Sequence, residues 1–136
     1  MANKIISGMG FHHIALRSSN YENSVKFYKA LGFEQIIEWG QGNSRISMFD
    51  IGDGGIFEIF APDGKQYAAE GRYQHFAFKV ENVHGAYKHA LAIGGKPHAM
   101  PKIMHLEDAR PKKMTMQVAF VEGPDGELLE FFKELK

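Results

Sequence analysis

Two histidines and two glutamates stand at matching places in the two halves of this chain, His13 and Glu58 in the first and His75 and Glu130 in the second. Each histidine opens a segment of the form His, apolar, Ala, apolar, basic: His13-Ile14-Ala15-Leu16-Arg17 and His75-Phe76-Ala77-Phe78-Lys79. Each glutamate interrupts an apolar run, Ile56-Phe57-Glu58-Ile59-Phe60 and Leu128-Leu129-Glu130-Phe131-Phe132. A carboxylate within an apolar strand is expensive to bury unless something binds it. Taken singly, these residues are better read as sheet histidines with ordinary partners and as glutamates that reach water. Repeated at the same strand positions, two imidazoles and two carboxylates make a mixed nitrogen and oxygen donor set for a divalent metal.

The elements that must position them follow from alternation and turn chemistry. In residues 11–17, alternation puts Ile14 and Leu16 on one face and His13, Ala15 and Arg17 on the other. It also sends His12 to the Ile14 side. In the second opening, Phe76, Phe78 and Val80 take the packed face, and His75, Ala77 and Lys79 take the other. Phe57 and Ile59 oppose Glu58, and Leu129 and Phe131 oppose Glu130. All four polar residues can therefore lie on sheet faces turned away from the helices.

Those helices are expected after each opening strand. Asn20 is placed to cap a helix over 21–31 with Val25, Tyr28 and Leu31 on its apolar stripe, and Gly32 suits the left-handed position that ends it. Strands follow at 33–39, 45–51 and 55–61, separated by Gly40-Gln41-Gly42-Asn43 and Gly52-Asp53-Gly54. In the second half, strand 74–80 precedes a helix capped by Asn82, running from Val83 to about 93 and stopped by Gly94-Gly95. Its stripe is Val83, Ala86, Tyr87, Ala90 and Leu91. A short strand near 95–99 and an irregular stretch at 100–113 come next, then strands at 114–121 and 127–133 joined by Pro124-Asp125-Gly126. An internal repeat outweighs any single motif. It gives an α+β class with two βαβββ modules in one domain over 1–136: about 8–62, a linker at 63–72, and about 73–134.

Composition narrows the function classes. The chain has 136 residues, equal numbers of acidic and basic side chains, and no cysteine. Thiol catalysis, disulfides and Cys-ligated zinc are excluded. A zero net charge without charge blocks recommends neither a nucleic-acid nor a membrane-surface partner. No apolar run approaches a membrane span, and Met1 to Gly10 lacks the apolar core of a signal peptide, so a cytoplasmic protein is expected.

At this level the chain resembles the vicinal oxygen chelate superfamily, the glyoxalase/bleomycin resistance/dioxygenase group, over about residues 11–134. The residues that carry the resemblance are His13 to Arg17, Ser24-Val25-Lys26-Phe27-Tyr28 with Leu31-Gly32, Phe57-Glu58-Ile59, His75 to Phe78, and Pro124-Asp125-Gly126 with Leu129-Glu130. Within the superfamily it is most similar to glyoxalase I. The resemblance implies curved mixed sheets cupping a metal, with His13, Glu58, His75 and Glu130 at the four ligand positions and Glu130 also the catalytic base. Extradiol dioxygenases and fosfomycin-modifying enzymes use three ligands, methylmalonyl-CoA epimerase carries Gln where Glu58 stands, and drug-sequestering members generally lack the set. The implied chemistry is an isomerisation. A divalent ion, zinc or nickel, stabilises an enediolate while a carboxylate moves a proton between adjacent carbons, converting a thiol–methylglyoxal hemithioacetal into a 2-hydroxyacyl thioester.

The departures bear on substrate. Arg17 matches a family arginine near the glutathione carboxylate and is a substrate-binding candidate, but Pro62 stands where glyoxalase I commonly has an Asn that contacts glutathione. Arg72 is displaced from the family's spacing before His75. Residues 100–113, with Lys112 and Lys113, are either a flap over the site or a solvated basic loop. His84, His89, His98 and His105 are read as surface residues, and His105 alone has a place from which to approach a ligand. A binding protein of the same fold without turnover is the reading from a different class, and Glu130 argues for the enzyme. The resemblance also implies a homodimer, with the first module of one chain meeting the second of its partner.

Overall fold

The computed structural model describes residues 1–30, 32–123 and 126–136. Leu31 of the expected helix stripe and Pro124 and Asp125 of the expected turn lie outside them. Among the described residues, eight strands and two α-helices occur in the order expected: β1 (Gly10–Arg17), α1 (Tyr21–Ala30), β2 (Glu34–Trp39), β3 (Ile46–Asp50), β4 (Ile56–Phe60), β5 (Tyr73–Lys79), α2 (Val83–Ala92), β6 (Lys96–Leu106), β7 (Met114–Glu122) and β8 (Leu128–Leu135). They make two βαβββ modules, the expected α+β class. The chain clusters into two compact units: His13–Gln74 with Glu107–Lys113, and Met1–His12 with His75–Leu106 and Met114–Lys136.

In the first unit the strand order is β2-β3-β4-β1, with β1 parallel to β4 and the other pairs antiparallel. Asn20 caps α1 as its side chain predicts, accepting from Asn23 N at 3.1 Å, and Gly32 ends the helix at φ +105°. Val25 and Tyr28 pack with Ile14 and Leu16 around buried Tyr21, Phe49, Phe57 and Ile59. Fully burying a side chain of this size contributes about 1.5–3 kcal/mol. This packing fixes the sheet's two sides: Phe57 and Ile59 meet the helix, so Glu58 between them faces away.

The second unit repeats the plan in the order β5-β8-β7-β6, with β5 parallel to β8. Asn82 accepts from Gly85 N at 2.8 Å and caps α2. Val83 and Ala86 pack with Val121 and Phe131, and Leu129 joins them from the margin. Glu130, between Leu129 and Phe131, again faces away from the helix.

Two features depart from the sequence reading. Residues 100–106 are not irregular, because β6 runs unbroken in sequence to Leu106, pairing Lys102 with Val118 and Leu106 with Met114. Pro97 and Pro101 read as breakers, yet β6 is the outermost strand in its unit's order, where a missing N–H is tolerated. The register shifts between Pro97 and Ala99 and between Ala99 and Lys102 absorb the misfit.

The remaining residues, 107–113, cluster with the first unit, not the second. Arg110 and Glu38 exchange backbone hydrogen bonds at 2.9 and 2.7 Å, and the Arg110 guanidinium lies 3.2 Å from Glu38 Oε1. Asp108 Oδ2 accepts from Gly40 N at 2.7 Å. Lys112 and Lys113 are exposed, and Lys113 Nζ pairs with Glu107 at 3.0 Å, which matches the solvated-loop alternative.

Glu38 also ties this clasp to α1. Tyr21 donates to its Oε2 at 2.6 Å, and the phenol oxygen also contacts buried Ser47 Oγ. Burial and the Glu38 hydrogen bond push the Tyr21 pKa well up, keeping the hydroxyl a donor. Burial pushes the Glu38 carboxyl up, but hydrogen bonds from Tyr21 and Arg110 outweigh it and hold the group below the usual carboxylate range. That contribution is full above the unfolded carboxylate range and is lost as pH falls through the lowered folded pKa. Tyr21→Phe removes the hydroxyl that donates to Glu38 and contacts buried Ser47, and costs about 1–3 kcal/mol, read as a lowered denaturation midpoint in urea.

Candidate metal centre

Each unit places one histidine against one carboxylate. In the first, His13 Nε2 lies 3.2 Å from Glu58 Oε1. In the second, His75 Nε2 lies 3.0 Å from Glu130 Oε2. Relative exposures of 0% for His13, 5% for Glu58, 9% for His75 and 5% for Glu130 put all four in the buried class. Polar groups are buried this deeply only with partners. The four expected ligands thus fall into two equivalent pairs, each joining the first and last strand of its module.

The local cause is the same twice. β1 lies parallel to β4 with Ala15 in register with Glu58, and β5 lies parallel to β8 with Ala77 in register with Glu130. Both alanines are fully buried. A larger side chain there would occupy the space into which the carboxylate turns. On the other side, the register partners are Met48 for Glu58 and Phe120 for Glu130. Each carboxylate therefore stands between an alanine and a large apolar residue, with its histidine two residues before the alanine. Phe120 also meets His75 edge to face, 5.5 Å between ring centroids.

The alanines were visible in the repeated His, apolar, Ala pattern but carry no donor, so chemistry alone gave them no role. Ala77→Leu overpacks the site, costing about 1–3 kcal/mol and displacing Glu130. Urea denaturation checks the first effect, and metal content and turnover, both expected to fall, check the second.

The donor set fits a divalent ion. Two ligand atoms about 2.0–2.1 Å from a tetrahedral zinc lie roughly 3.3 Å apart, close to the separation within each pair. Imidazole with carboxylate is a combination that zinc and nickel accept. As ion pairs alone, the pairs would be a weak source of stability, because desolvating both partners offsets much of their attraction.

The other expected residues are accounted for separately. Arg17 Nη1 donates to Ala61 O at 2.8 Å, its Nε lies 3.5 Å from Asp63 Oδ2, and its guanidinium lies 4.7 Å from the Phe60 ring centroid. It lines a cavity of about 210 Å³ with Ser18, Lys65 and Arg72, and Pro62 forms part of the same wall. His12, which alternation sends to the helix side, stacks on Phe132 at 4.1 Å between centroids. His84, His98 and His105 are exposed, while His89 is half-buried. His105 Nδ1 lies 3.3 Å from Thr115 Oγ1.

Against known proteins, residues 10–131 match the family described as the glyoxalase/bleomycin resistance protein/dioxygenase superfamily. Lactoylglutathione lyases from two Neisseria meningitidis strains are 28% identical over 130 residues, covering 90% of this chain and 88% of theirs. A hypothetical protein from Bacillus halodurans superposes with a TM-score of 0.72 at 16% identity, over 96% of this chain and 97% of that one. Methylmalonyl-CoA epimerase from Mycobacterium tuberculosis gives 0.71 at 14% identity, over 100% and 93%. The two structural likenesses are likenesses of fold.

Proposed function

Since the chain belongs to the glyoxalase/bleomycin resistance protein/dioxygenase superfamily, we propose that it is a glyoxalase I-like carbon–sulfur lyase acting in the cytoplasm. Its reaction converts a thiol–methylglyoxal hemithioacetal into a 2-hydroxyacyl thioester. The observation that carries this reading is the duplicated, buried His–carboxylate pair. The name borne by the Neisseria relatives agrees with it.

His13, Glu58, His75 and Glu130 would together hold one ion, zinc or nickel. Bound there, it supplies Lewis-acid stabilisation of negative charge developing on a substrate oxygen. The chain's own residues do the rest. Glu130 takes the proton from the carbon bearing oxygen and sulfur and returns it to the neighbouring carbon, so no redox change occurs. Phe132 and Ala77, both buried, keep water from that carboxylate, so the proton it carries is delivered to carbon. Arg17, with Lys65 and Arg72 around the same cavity, binds an anionic end of the thiol.

The test is metal analysis of purified protein followed by a thioester-formation assay with methylglyoxal and a panel of thiols. One thiol is expected to give metal-dependent turnover that chelation abolishes. Stoichiometric metal without turnover on any thiol would instead make the protein a binder of the same fold.

The active species is a homodimer, with an expected solution mass of twice the 15.3 kDa chain, checked by sedimentation equilibrium. A monomer would contradict it. The resemblance pairs the modules of different chains, so His13→Ala and His75→Ala chains, each inactive alone, would complement when mixed. Sites built within single chains would leave the mixture inactive.

A further inference from the structure

We propose that the cavity beside Arg17 in the first unit binds a doubly charged phosphate group, carried on the thiol of the proposed reaction or free in solution. The inference deepens the proposed function, and only its link to the thiol rests on that reading. The phosphate site itself needs neither metal nor turnover. The cavity measures about 210 Å³, and its lining falls between Arg17 and Arg72, inside one compact unit.

Charge decides the occupant. Arg17, Lys65 and Arg72 line the cavity with a single carboxylate, Asp63. The Tyr67 hydroxyl and the Lys65 N–H donate to Asp63 and hold its carboxyl below the usual range, so it is ionised at neutral pH. Three cations against one anion leave two positive charges uncompensated in the lining, in a chain whose formal net charge is zero. A lone carboxylate would neutralise one of them, whereas a phosphate dianion neutralises both and has the oxygens to accept from several donors at once.

The donors are held in place and not used up. Arg17 Nη1 donates to Ala61 O at 2.8 Å, and Arg72 Nη1 donates to Arg17 O at 3.3 Å. A guanidinium carries five N–H donors, so each keeps others for an oxyanion. Arg17 Nε is buried and makes no hydrogen bond among the described residues, with Asp63 Oδ2 at 3.5 Å. Buried Ser18 donates to Phe60 O from both its Oγ and its N, at 2.8 and 3.0 Å, which fixes the end of β1 beside that of β4. Pro62 in the same wall has no N–H to offer, so selection falls to the cations. Lys65, Gln66 and Ser19 are exposed and leave the cavity an entrance.

The cavity also has a fixed reach from the chemistry. Arg17 follows His13 by four residues on β1 and on the same side of it, a separation of roughly 13 Å along a strand. An extended thiol adduct that reaches from one to the other carries its phosphate at about that distance from its reacting carbons.

The test titrates phenyl phosphate and phenyl sulfate, alike in shape but different in charge, into the full chain with a chelator present, followed by calorimetry. At about pH 7.5 the phosphate is expected to bind at one site per chain, about ten-fold or more tighter than the singly charged sulfate. Lowering the pH to about 5 takes the ester through its second ionisation, near 6. Its affinity then falls to that of the sulfate, which stays constant because no histidine lines the cavity. Arg72→Gln weakens phosphate binding about ten-fold or more. Lys65→Gln, at an exposed residue, weakens it about three-fold and remains the measure if the Arg72 variant misfolds. Lys112→Gln, exposed in the same unit but outside the cavity, leaves it unchanged. In amide NMR spectra Ser19, Gly64 and Lys65 shift on titration, while Gly85 and Gly94 of the second unit do not. Inorganic phosphate binding more weakly than the ester assigns the group to a substrate, and binding more tightly assigns it to the free ion. No saturable binding, equal affinities for the two esters at about pH 7.5, or a loss with Lys112→Gln matching that with Arg72→Gln would overturn the site. Because metal is chelated throughout, such a result leaves thioester formation to its own assay, and absent turnover leaves a measured phosphate site standing.

Discussion

Under the proposed function, Glu130→Gln is expected to keep its metal and to lose turnover by several powers of ten. The carboxamide retains an oxygen lone pair in the same shape, so the apolar packing around it is undisturbed. It has no useful basicity, and the proton on carbon has no acceptor. Loss of general-base assistance accounts for roughly 10²–10⁴ of the drop. The loss of one negative charge from the donor set adds to it by altering the ion's Lewis acidity. Ala77 on one side and Phe120 on the other hold no replacement base, so rescue by a neighbour is not expected. Turnover unimpaired on the true substrate, with metal content equal to wild type, would mean that the base is misassigned.

The proposed metal is also expected to stabilise the fold, by an amount set by mass action. At a free concentration about a thousand times its dissociation constant, a ligand that binds only the folded chain contributes about 4 kcal/mol. For a domain of this size that raises the melting temperature on the order of 10–20 °C. The expectation is strong because the donors are already buried: His13 and Glu58, and His75 and Glu130, are held against each other by strand register. Little ordering is left for the ion to impose. His75→Ala is expected to abolish the metal-induced shift, measured by calorimetry with zinc and then nickel. A full shift retained in that variant would place the ion elsewhere.

Much of this was legible in the sequence because it rests on local rules. Asn20 and Asn82 announce their helices through short polar side chains that accept from nearby backbone N–H groups. The side on which Glu58 and Glu130 stand follows from the period of two and from the apolar residues flanking them. What stayed hidden depends on register and on contacts distant in the chain. Nothing local says that Ala15 lies beside Glu58, or Ala77 beside Glu130, since strand pairing is set by the whole module. β6 was obscured because Pro97 and Pro101 carry the same signal whether they break a strand or sit on its outer edge. The placement of 107–113 depends on Arg110 meeting Glu38, 72 residues away.

The central claim is that the two His–carboxylate pairs serve one ion together. Metal content per chain, measured by inductively coupled plasma mass spectrometry on wild-type, His13→Ala and His75→Ala proteins loaded with zinc and desalted, tests it most directly. One ion per chain in the wild type and none in either variant is the expected result. Two ions per chain, or a variant that retains full occupancy after losing its histidine, would contradict it.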